Sequence, residues 1–508
     1  MGKKIIKGTF ILTLSGIISK LIGFYYRIFL TDIIGANGMG IYQMVLPVLG
    51  LFAALGCAGS ELVMSKTIAE VSDNQKELNY RFKIGFLYSM IVSSLSTVLM
   101  FLLTPFISKY FVSGDDTSKL LYFMLPALIL MAIHSAINGY YIGTNRPMIS
   151  GLCLCFESIT KLLFMFIISN YLGAINKPVL PEHCIIAMVF SELFSSAIMI
   201  ICKIYDSKKN FVSIEKPPEI TGVRKLQKDL YSFFKLAIPV SLTRILLSAI
   251  HSVEAILIPV FLVLYGLSED TAISVYGIIV GMSIPFVLFP SAITTALSSM
   301  LLPSISECVA KKDMKSVSKS SSMALRYSMS MGIFFTFFFL SFGKMLGILF
   351  FKNSLAGEYL TIFAWLCPFI YVEITLSGII NGFGLTKNTC IYNIISAIIR
   401  IIFLLVFIPM YGIIGYLWGL LAGEITGTIL TVVKTNKICH LQYSVTKNLI
   451  IPIFYSIISI GFSITVKYLI DDINIFPPLL TLIMCCGLSC ILFLLFTIHK
   501  ELPDIHNN

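Results

Sequence analysis

Apolar runs of twenty or more residues recur along the whole of this sequence. Each run is long enough to cross a hydrocarbon core of roughly 30 Å as an α-helix. The runs are continuous and do not alternate apolar with polar residues, a pattern that favours helices over a membrane β-barrel. The sequence therefore predicts an all-α polytopic membrane protein.

The first run is not a cleavable signal peptide, because it is too long and contains Lys20 and Arg27. Only 12% of the 508 residues are charged, whereas soluble domains have about a quarter. We predict fourteen membrane-spanning helices. They lie near residues 10–31, 41–65, 83–106, 120–142, 149–172, 184–205, 234–263, 272–302, 323–343, 358–382, 391–410, 413–433, 448–470 and 478–498.

The net charge of +11 is distributed unevenly between the predicted connections. The basic connection 206–232 contains Lys208, Lys209, Lys216, Arg224, Lys225 and Lys228. Connections on the opposite side contain Asp115, Asp116, Glu269, Asp270, Asp471 and Asp472. The positive-inside rule then places 206–232 and both termini in the cytoplasm, with the chain in the cell membrane. The positive charge indicates topology and contact with membrane lipids, not nucleic-acid binding.

An internal repeat is the most informative feature of the chain. Lys161 in span 5 and Arg400 in span 11 are each followed by Phe three residues on and Gly twelve residues on. Spans 6 and 12 contain Glu192 and Glu424, each among small residues spaced four apart. Further matches in the same order are Ile-Asn-Gly at 137–139 and 380–382, Ser19-Lys20 with Thr243-Arg244, and Glu70 with Glu307.

These matches predict two copies of one six-helix unit. Because six spans return the chain to the same side, the two lobes have the same orientation. Parallel repeats around a central cavity are typical of transporters that rock one lobe against the other. The predicted segments are an N-lobe at 1–205, a linker at 206–232, a C-lobe at 233–434, and spans 13 and 14 with the tail at 435–508.

Two features within the spans bear on packing and motion. The stripe of Gly415, Gly419, Gly423 and Gly427 predicts close approach of span 12 to a neighbouring helix. Pro285 and Pro290 make span 8 the best candidate for a hinge, because proline removes backbone hydrogen bonds.

Basic residues occur where a charge costs about 2.5–3.5 kcal/mol at mid-bilayer. Lys20 and Arg27 share one face of span 1, and Arg244 and His251 share one face of span 7. Such groups facing a cavity would suit a pyrophosphate, for which arginine offers a bidentate fork and lysine a point charge. The alternative is that they pair with carboxylates and hold helices together.

Carboxylates within the spans have two interpretations. In the functional one they serve in ion coupling or in gating, and in the structural one they form ion pairs that hold helices together. The candidates are Glu61, Glu254, Glu192 and Glu424. The i,i+4 spacing of Glu157 and Lys161 predicts an intrahelical ion pair. His134 and His251 are interpreted as packing groups, and the twelve cysteines show no metal-site spacing.

Several segments resemble the stage V sporulation protein B family. They are SGIISKLIGFYYRIFLTDIIGANGMGIYQMVLPV at 15–48, SKTIAE at 65–70, PVSLTR at 239–244 and YGIIVGMSIPFVLFPSAITTALSSMLLPSISE at 276–307. The resemblance covers essentially the full length and implies membership of the multidrug/oligosaccharidyl-lipid/polysaccharide exporter superfamily. It implies two six-helix lobes around a V-shaped cationic cavity, and a supply of precursor for spore cortex peptidoglycan.

The resemblance also bears on two site residues. In related flippases an arginine of span 1 is required, and this role carries over to Arg27. Where the family has proline or a small residue closing span 2, this chain has Ser60-Glu61, which adds a carboxylate.

We therefore expect a flippase, not an enzyme, that carries a polyprenyl-pyrophosphate-linked saccharide of the lipid II type by alternating access. No cofactor is expected; Na⁺ or H⁺ is the candidate coupling ion, and a cell-wall polymerase is a candidate partner. The alternative is a MATE-like cation-coupled antiporter of small molecules, which would need a cavity dominated by carboxylates. A membrane-embedded glycosyltransferase or polymerase would need a sizeable outer loop. No Walker A sequence occurs, so we expect no ATP hydrolysis.

Overall fold

The computed structural model describes residues 2–57, 59–71, 74–112, 114–210, 223–473 and 477–506. Residues 211–222 of the predicted linker lie outside this part, as do the side chains of Asp115, Lys208, Lys209, Lys216, Arg224 and Lys225. The described chain is almost entirely helical. Its helices are α1 (Gly2–Cys57), α2 (Ser60–Ala69), α3 (Gln75–Ser108), α4 (Gly114–Gly143), α5 (Pro147–Ala174), α6 (Pro181–Asn210), α7 (Val223–Leu264), α8 (Glu269–Tyr276), α9 (Ile284–Leu288), α10 (Ser291–Ala310), α11 (Met314–Phe351), α12 (Ser354–Phe363), α13 (Cys367–Gly382), α14 (Thr386–Tyr411), α15 (Ile413–Cys439), α16 (Ile451–Ile473) and α17 (Pro478–His506).

Fourteen stretches of the described residues are long and apolar enough to cross a membrane, which confirms the predicted polytopic fold. Leu14–Ala69 is one such stretch and contains most of predicted span 1 and all of predicted span 2. At 1.5 Å per residue, the 56 residues of α1 extend roughly 84 Å, more than twice a hydrocarbon core. Gly35 interrupts α1 with φ 67° and ψ −174°. The helical part on each side of Gly35 is long enough for one crossing, in agreement with predicted spans 1 and 2.

Predicted span 8 is divided at Phe289 and Pro290, between α9 and α10. Both residues keep right-handed helical dihedrals, with φ −61° and ψ −50° for Phe289 and φ −64° and ψ −23° for Pro290. The Ile293 amide donates to the Pro290 carbonyl at 3.1 Å. The chain bends here, and predicted span 8 comprises parts of two apolar helical stretches, Glu269–Leu288 and Ser291–Ala310. A π-helical segment at Gly277–Ser283 adds a second irregularity, and the hinge stays a prediction.

Short polar side chains cap the N-termini of four helices. Asn74, Ser268, Asp313 and Asn353 precede α3, α8, α11 and α12, and each accepts a hydrogen bond from a first-turn amide. The amide and the hydroxyl of Ser316 donate to Asp313 at 3.1 and 2.6 Å. These bonds favour the charged carboxylate and hold the pKa of Asp313 below its usual value.

The chain forms two compact units, Met1–Gly281 with Leu404–Ile413 and Met282–Phe403 with Ile414–Asn508. In the first unit, α1 packs against α7, where the Ser252 hydroxyl donates to the Pro47 carbonyl at 2.8 Å. Helix α7 therefore lies beside α1 within this unit. The lobe boundaries drawn from the repeat stay a prediction.

Each unit contains a Gly-x-x-x-Gly pair that brings two helices into backbone contact. On α4 of the first unit, a Cβ at Gly139 would lie 2.5 Å from the Glu61 carbonyl oxygen of α2. On α13 of the second unit, a Cβ at Gly378 would lie 2.6 Å from the Ser298 carbonyl oxygen of α10. The second glycines are Gly143 and Gly382, likewise against α2 and α10. Small residues at this spacing permit the close packing that stabilises helices in membranes.

We expect Gly139→Ala to lower the free energy of unfolding by about 1–3 kcal/mol, because the added methyl group overpacks the α2–α4 contact. Denaturant unfolding in mixed micelles measures the change. Gly50→Ala is the matched control, since a Cβ at Gly50 meets no atom within 4 Å and alanine is the better helix former. Equal stability of the two variants would show that α2 and α4 do not pack through Gly139.

Candidate functional site

The predicted cationic residues of α1 and α7 belong to the first unit. Lys20 and Arg244 are exposed and Arg27 is half-buried. Within the part of the chain that the structure describes, no carboxylate forms an ion pair with Arg27, and the Tyr42 side chain lies near its guanidinium. Arg27 is therefore not neutralised by a described acidic neighbour. Its role in binding a pyrophosphate stays a prediction, as do those of Lys20 and Arg244.

Two of the predicted carboxylates have polar partners. Glu254, which is buried on α7, lies 3.3 Å from Nδ1 of His251, one turn earlier. Glu61 lies in the first turn of α2 and accepts a hydrogen bond from the Asn138 amide at 2.8 Å. The partial positive charge of a helix N-terminus favours a carboxylate at this position. These contacts explain how both groups are held inside the membrane.

A cluster of polar side chains joins α4, α5 and α6 in the first unit. Nδ1 of His134 lies 3.8 Å from Oε2 of Glu192 and 4.0 Å from Oε2 of Glu157. The Ser195 hydroxyl lies 3.3 Å from the same ring nitrogen. We call His134, Glu157 and Glu192 the α4–α6 cluster. His134 was interpreted from the sequence as a packing group, and this grouping was missed.

The predicted ion pair between Glu157 and Lys161 does not form among the described residues. The Lys161 ammonium lies 5.0 Å from the centre of the Tyr26 ring, a cation–π contact. Glu157 turns instead toward His134 on α4. The i,i+4 spacing is compatible with an intrahelical pair, but interhelical partners determine both side-chain orientations here.

The second unit contains the repeat-equivalent charges in a different arrangement. Arg400 on α14 and Glu424 on α15 form an ion pair at 3.5 Å, with side chains 12% and 20% exposed. A Cβ at Gly423 would lie 2.9 Å from Cγ of Arg400, and one at Gly427 would lie 2.9 Å from Oε2 of Glu373. Charged side chains of neighbouring helices thus pack directly against the glycine stripe of α15, which confirms the predicted close approach.

The two units therefore use equivalent positions differently. Arg400 pairs directly with Glu424, whereas the equivalent Lys161 lies over Tyr26 and the equivalent Glu192 faces His134. The sequence signal for this difference is the presence of Glu157 and His134 on the two helices that adjoin Glu192.

Known proteins match the chain at the level of family and of fold. The family model described as polysaccharide biosynthesis protein matches residues 5–309, and the MatE model matches residues 245–406. Stage V sporulation protein B of Bacillus subtilis (strain 168) is 22% identical over 446 residues, which cover 87% of this chain and 85% of that relative.

Solved transporters share the fold. A structure of the lipid II flippase MurJ in an inward closed conformation is 14% identical, with a TM-score of 0.72, over 97% of this chain and 99% of that one. An inward-facing multidrug resistance MATE family transporter of the MOP superfamily is 15% identical, with a TM-score of 0.60, over 85% and 96%. These similarities establish the architecture.

We expect a double-mutant cycle of Arg400→Gln and Glu424→Gln to give a coupling free energy of about 0.5–3 kcal/mol, because the pair lies largely away from water. Denaturant unfolding of the four proteins in mixed micelles measures this coupling.

The control cycle is Lys119→Gln with Asp116→Asn, a pair at 3.6 Å whose side chains are 65% and 69% exposed. Its coupling is expected near zero, since exposed ion pairs contribute little. A coupling between Arg400 and Glu424 no larger than this control would contradict the assigned ion pair.

Proposed function

The chain belongs to the polysaccharide biosynthesis protein family, and on this premise we propose that it is a flippase for a lipid-linked saccharide. The multi-pass fold and the relatives make it a transmembrane transporter of the multidrug/oligosaccharidyl-lipid/polysaccharide exporter superfamily. Its proposed substrate is a polyprenyl-pyrophosphate-linked oligosaccharide or peptidoglycan precursor of the lipid II type. We propose a role in spore cortex synthesis, and the similarity to stage V sporulation protein B supports the link to sporulation.

The observation that carries the proposal is the half-buried guanidinium of Arg27 within a membrane-spanning helix. A charge in this environment requires a counter-charge or water. No described carboxylate pairs with it, so an anionic ligand is the partner that suits it best. A pyrophosphate offers oxygen acceptors in the geometry that a guanidinium binds through two parallel hydrogen bonds.

The proposed mechanism is alternating access. Arg27, Arg244 and Lys20 bind the pyrophosphate from the cytoplasmic side while the polyprenyl tail stays in lipid. A change in lobe orientation then exposes the head group to the outside. An inside-negative potential favours outward movement of an anion by roughly 2.3 kcal/mol per charge per 100 mV. Na⁺ or H⁺ coupling through Glu61, Glu254, Glu192 or Glu424 is proposed as an additional contribution.

A cation-coupled antiporter of small molecules is the second candidate. It is favoured by the match of the MatE model to residues 245–406. An antiporter of organic cations needs acidic groups at its substrate site, whereas α1 contributes Lys20 and Arg27. Efflux of a fluorescent organic cation that depends on the chain, with no effect on lipid-linked precursors, would favour the antiporter.

We expect Arg27→Gln and Arg244→Gln each to slow flipping at least roughly tenfold, since a charge-assisted hydrogen bond contributes about 1.5–3 kcal/mol. Arg27→Lys should keep part of the activity, because lysine supplies charge without the bidentate fork. The measurement is the accumulation of labelled lipid-linked precursor in the inner leaflet of a conditional deletion strain that expresses each variant.

Lys119→Gln is the matched control, because it removes an exposed cation outside the predicted site. All variants must be present in the membrane as folded protein in equal amounts. Flipping at the wild-type rate in both arginine variants would reject the site, and no precursor accumulation in the deletion strain would reject the substrate.

We further propose that the chain lies in the cell membrane with both termini in the cytoplasm, that the basic connection 206–232 contacts anionic lipids, and that a cell-wall polymerase is a partner. In a cysteine-free background, Asp116→Cys should react with a membrane-impermeant maleimide on intact cells. Lys311→Cys should react only after permeabilisation, because the positive-inside rule places it in the cytoplasm. The reverse labelling pattern would invert the orientation.

A further inference from the structure

The α4–α6 cluster brings one imidazole and two carboxylates together inside the first unit. One ligand atom from each of His134, Glu157 and Glu192 lies within 4.8 Å of the other two. His134 and Glu192 are largely buried, and Glu157 is half-buried, so the cluster is most accessible on the side of Glu157. These three side chains come from three consecutive membrane-spanning helices.

A second observation points to a ligand at this position. Glu192 is only 6% exposed, and its Oε2 atom accepts no hydrogen bond from any described residue. This oxygen is the one that lies 3.8 Å from His134. A buried acceptor that is left unsatisfied destabilises the folded protein, and more so if it is charged. A cation held between these atoms would remove this destabilisation.

The surrounding charges leave room for such a cation. The Lys161 ammonium is near enough to act on Glu192 electrostatically, but it lies over the Tyr26 ring and forms no described ion pair with either carboxylate of the cluster. Glu61 is bound by Asn138. In the second unit the equivalent carboxylate, Glu424, pairs directly with Arg400. The first unit thus has the carboxylate of the repeat without the directly paired cation.

We propose that His134, Glu157 and Glu192 bind a divalent first-row transition-metal ion of the Zn²⁺ class. Imidazole nitrogen together with carboxylate oxygen is a ligand set that these metals favour, while hard cations such as Na⁺ and Mg²⁺ favour oxygen alone. Two ligands at roughly 2.1 Å from a tetrahedral ion lie roughly 3.4 Å apart. The separations of 3.8 and 4.0 Å around His134 are a few tenths of an ångström larger, so small side-chain rotations complete the site.

The site leaves a fourth position on a tetrahedral ion for water or for the Ser195 hydroxyl, which lies beside the His134 ring. Two carboxylates and a neutral imidazole would cancel the charge of a divalent ion, which suits its position inside the membrane. The ion would join α4, α5 and α6 and hold their spacing in the first unit. This role is independent of the identity of the transported lipid.

The test is titration of the purified, metal-stripped full-length protein with Zn²⁺ in detergent, followed by X-ray absorption at the zinc edge. We expect one saturable site per chain with nitrogen and oxygen ligands and a histidine signature. Sulfur ligands would instead identify some of the twelve cysteines and would overturn the assignment. Glu192→Gln and His134→Gln should each weaken binding at least a hundredfold.

Glu182→Gln, on the same helix but outside the cluster, should bind Zn²⁺ as the wild type does. Glu157→Asp keeps the charge and should weaken binding less than Glu157→Gln, a comparison that does not depend on whether the histidine variant folds. Absence of stoichiometric binding by the wild type, or equal affinity of the wild type and Glu192→Gln, would overturn the proposal. Arg27→Gln should retain the metal, so failure of the flippase proposal and failure of the metal site give different results.

Discussion

The cost of placing a charge in hydrocarbon governs the interior of this protein. Every membrane-embedded ionised group needs an opposite charge, a set of hydrogen bonds or water. The described structure meets this demand in several ways: Arg400 pairs with Glu424, Glu254 lies beside His251, and Asn138 binds Glu61. Against this background, two groups stand out: no described carboxylate pairs with Arg27, and Oε2 of Glu192, although it lies 3.8 Å from His134, accepts no hydrogen bond from a described residue. One is suited to an anion and the other to a cation.

Apolar run length was sufficient to predict a polytopic fold with fourteen candidate membrane helices, because a helix must reach a minimum length to cross a hydrocarbon core. The glycine stripe of span 12 also predicted its packing correctly, since backbone contact requires small residues whatever the partner. The break at Gly35 lies in the stretch 32–40 between predicted spans 1 and 2, and the bend at Phe289 and Pro290 includes one of the two prolines singled out in span 8. Hydropathy and proline positions located both features, but they do not encode the dihedral angles that produce them.

Side-chain partners were harder to predict than helices. The spacing of Glu157 and Lys161 indicated a pair within one helix, yet Tyr26 on α1 and His134 on α4 determine where these groups point. Interhelical distances are set by backbone packing, such as the contact of Gly139 with α2, and a single sequence gives no measure of them. For the same reason the sequence identified the cationic residues on α1 and α7, but it did not show that they act together on one ligand.

Binding affinity in lipid nanodiscs tests most directly whether the half-buried guanidinium of Arg27 binds an anionic lipid. The comparison is between a polyprenyl-pyrophosphate-linked saccharide and the same saccharide on an uncharged polyprenyl lipid. We predict at least roughly tenfold tighter binding of the pyrophosphate form, about 1.4 kcal/mol, and loss of this preference when Arg27 is replaced by glutamine. Equal affinity for the charged and uncharged lipids, or a preference that persists without Arg27, would contradict the proposed binding of the pyrophosphate by Arg27.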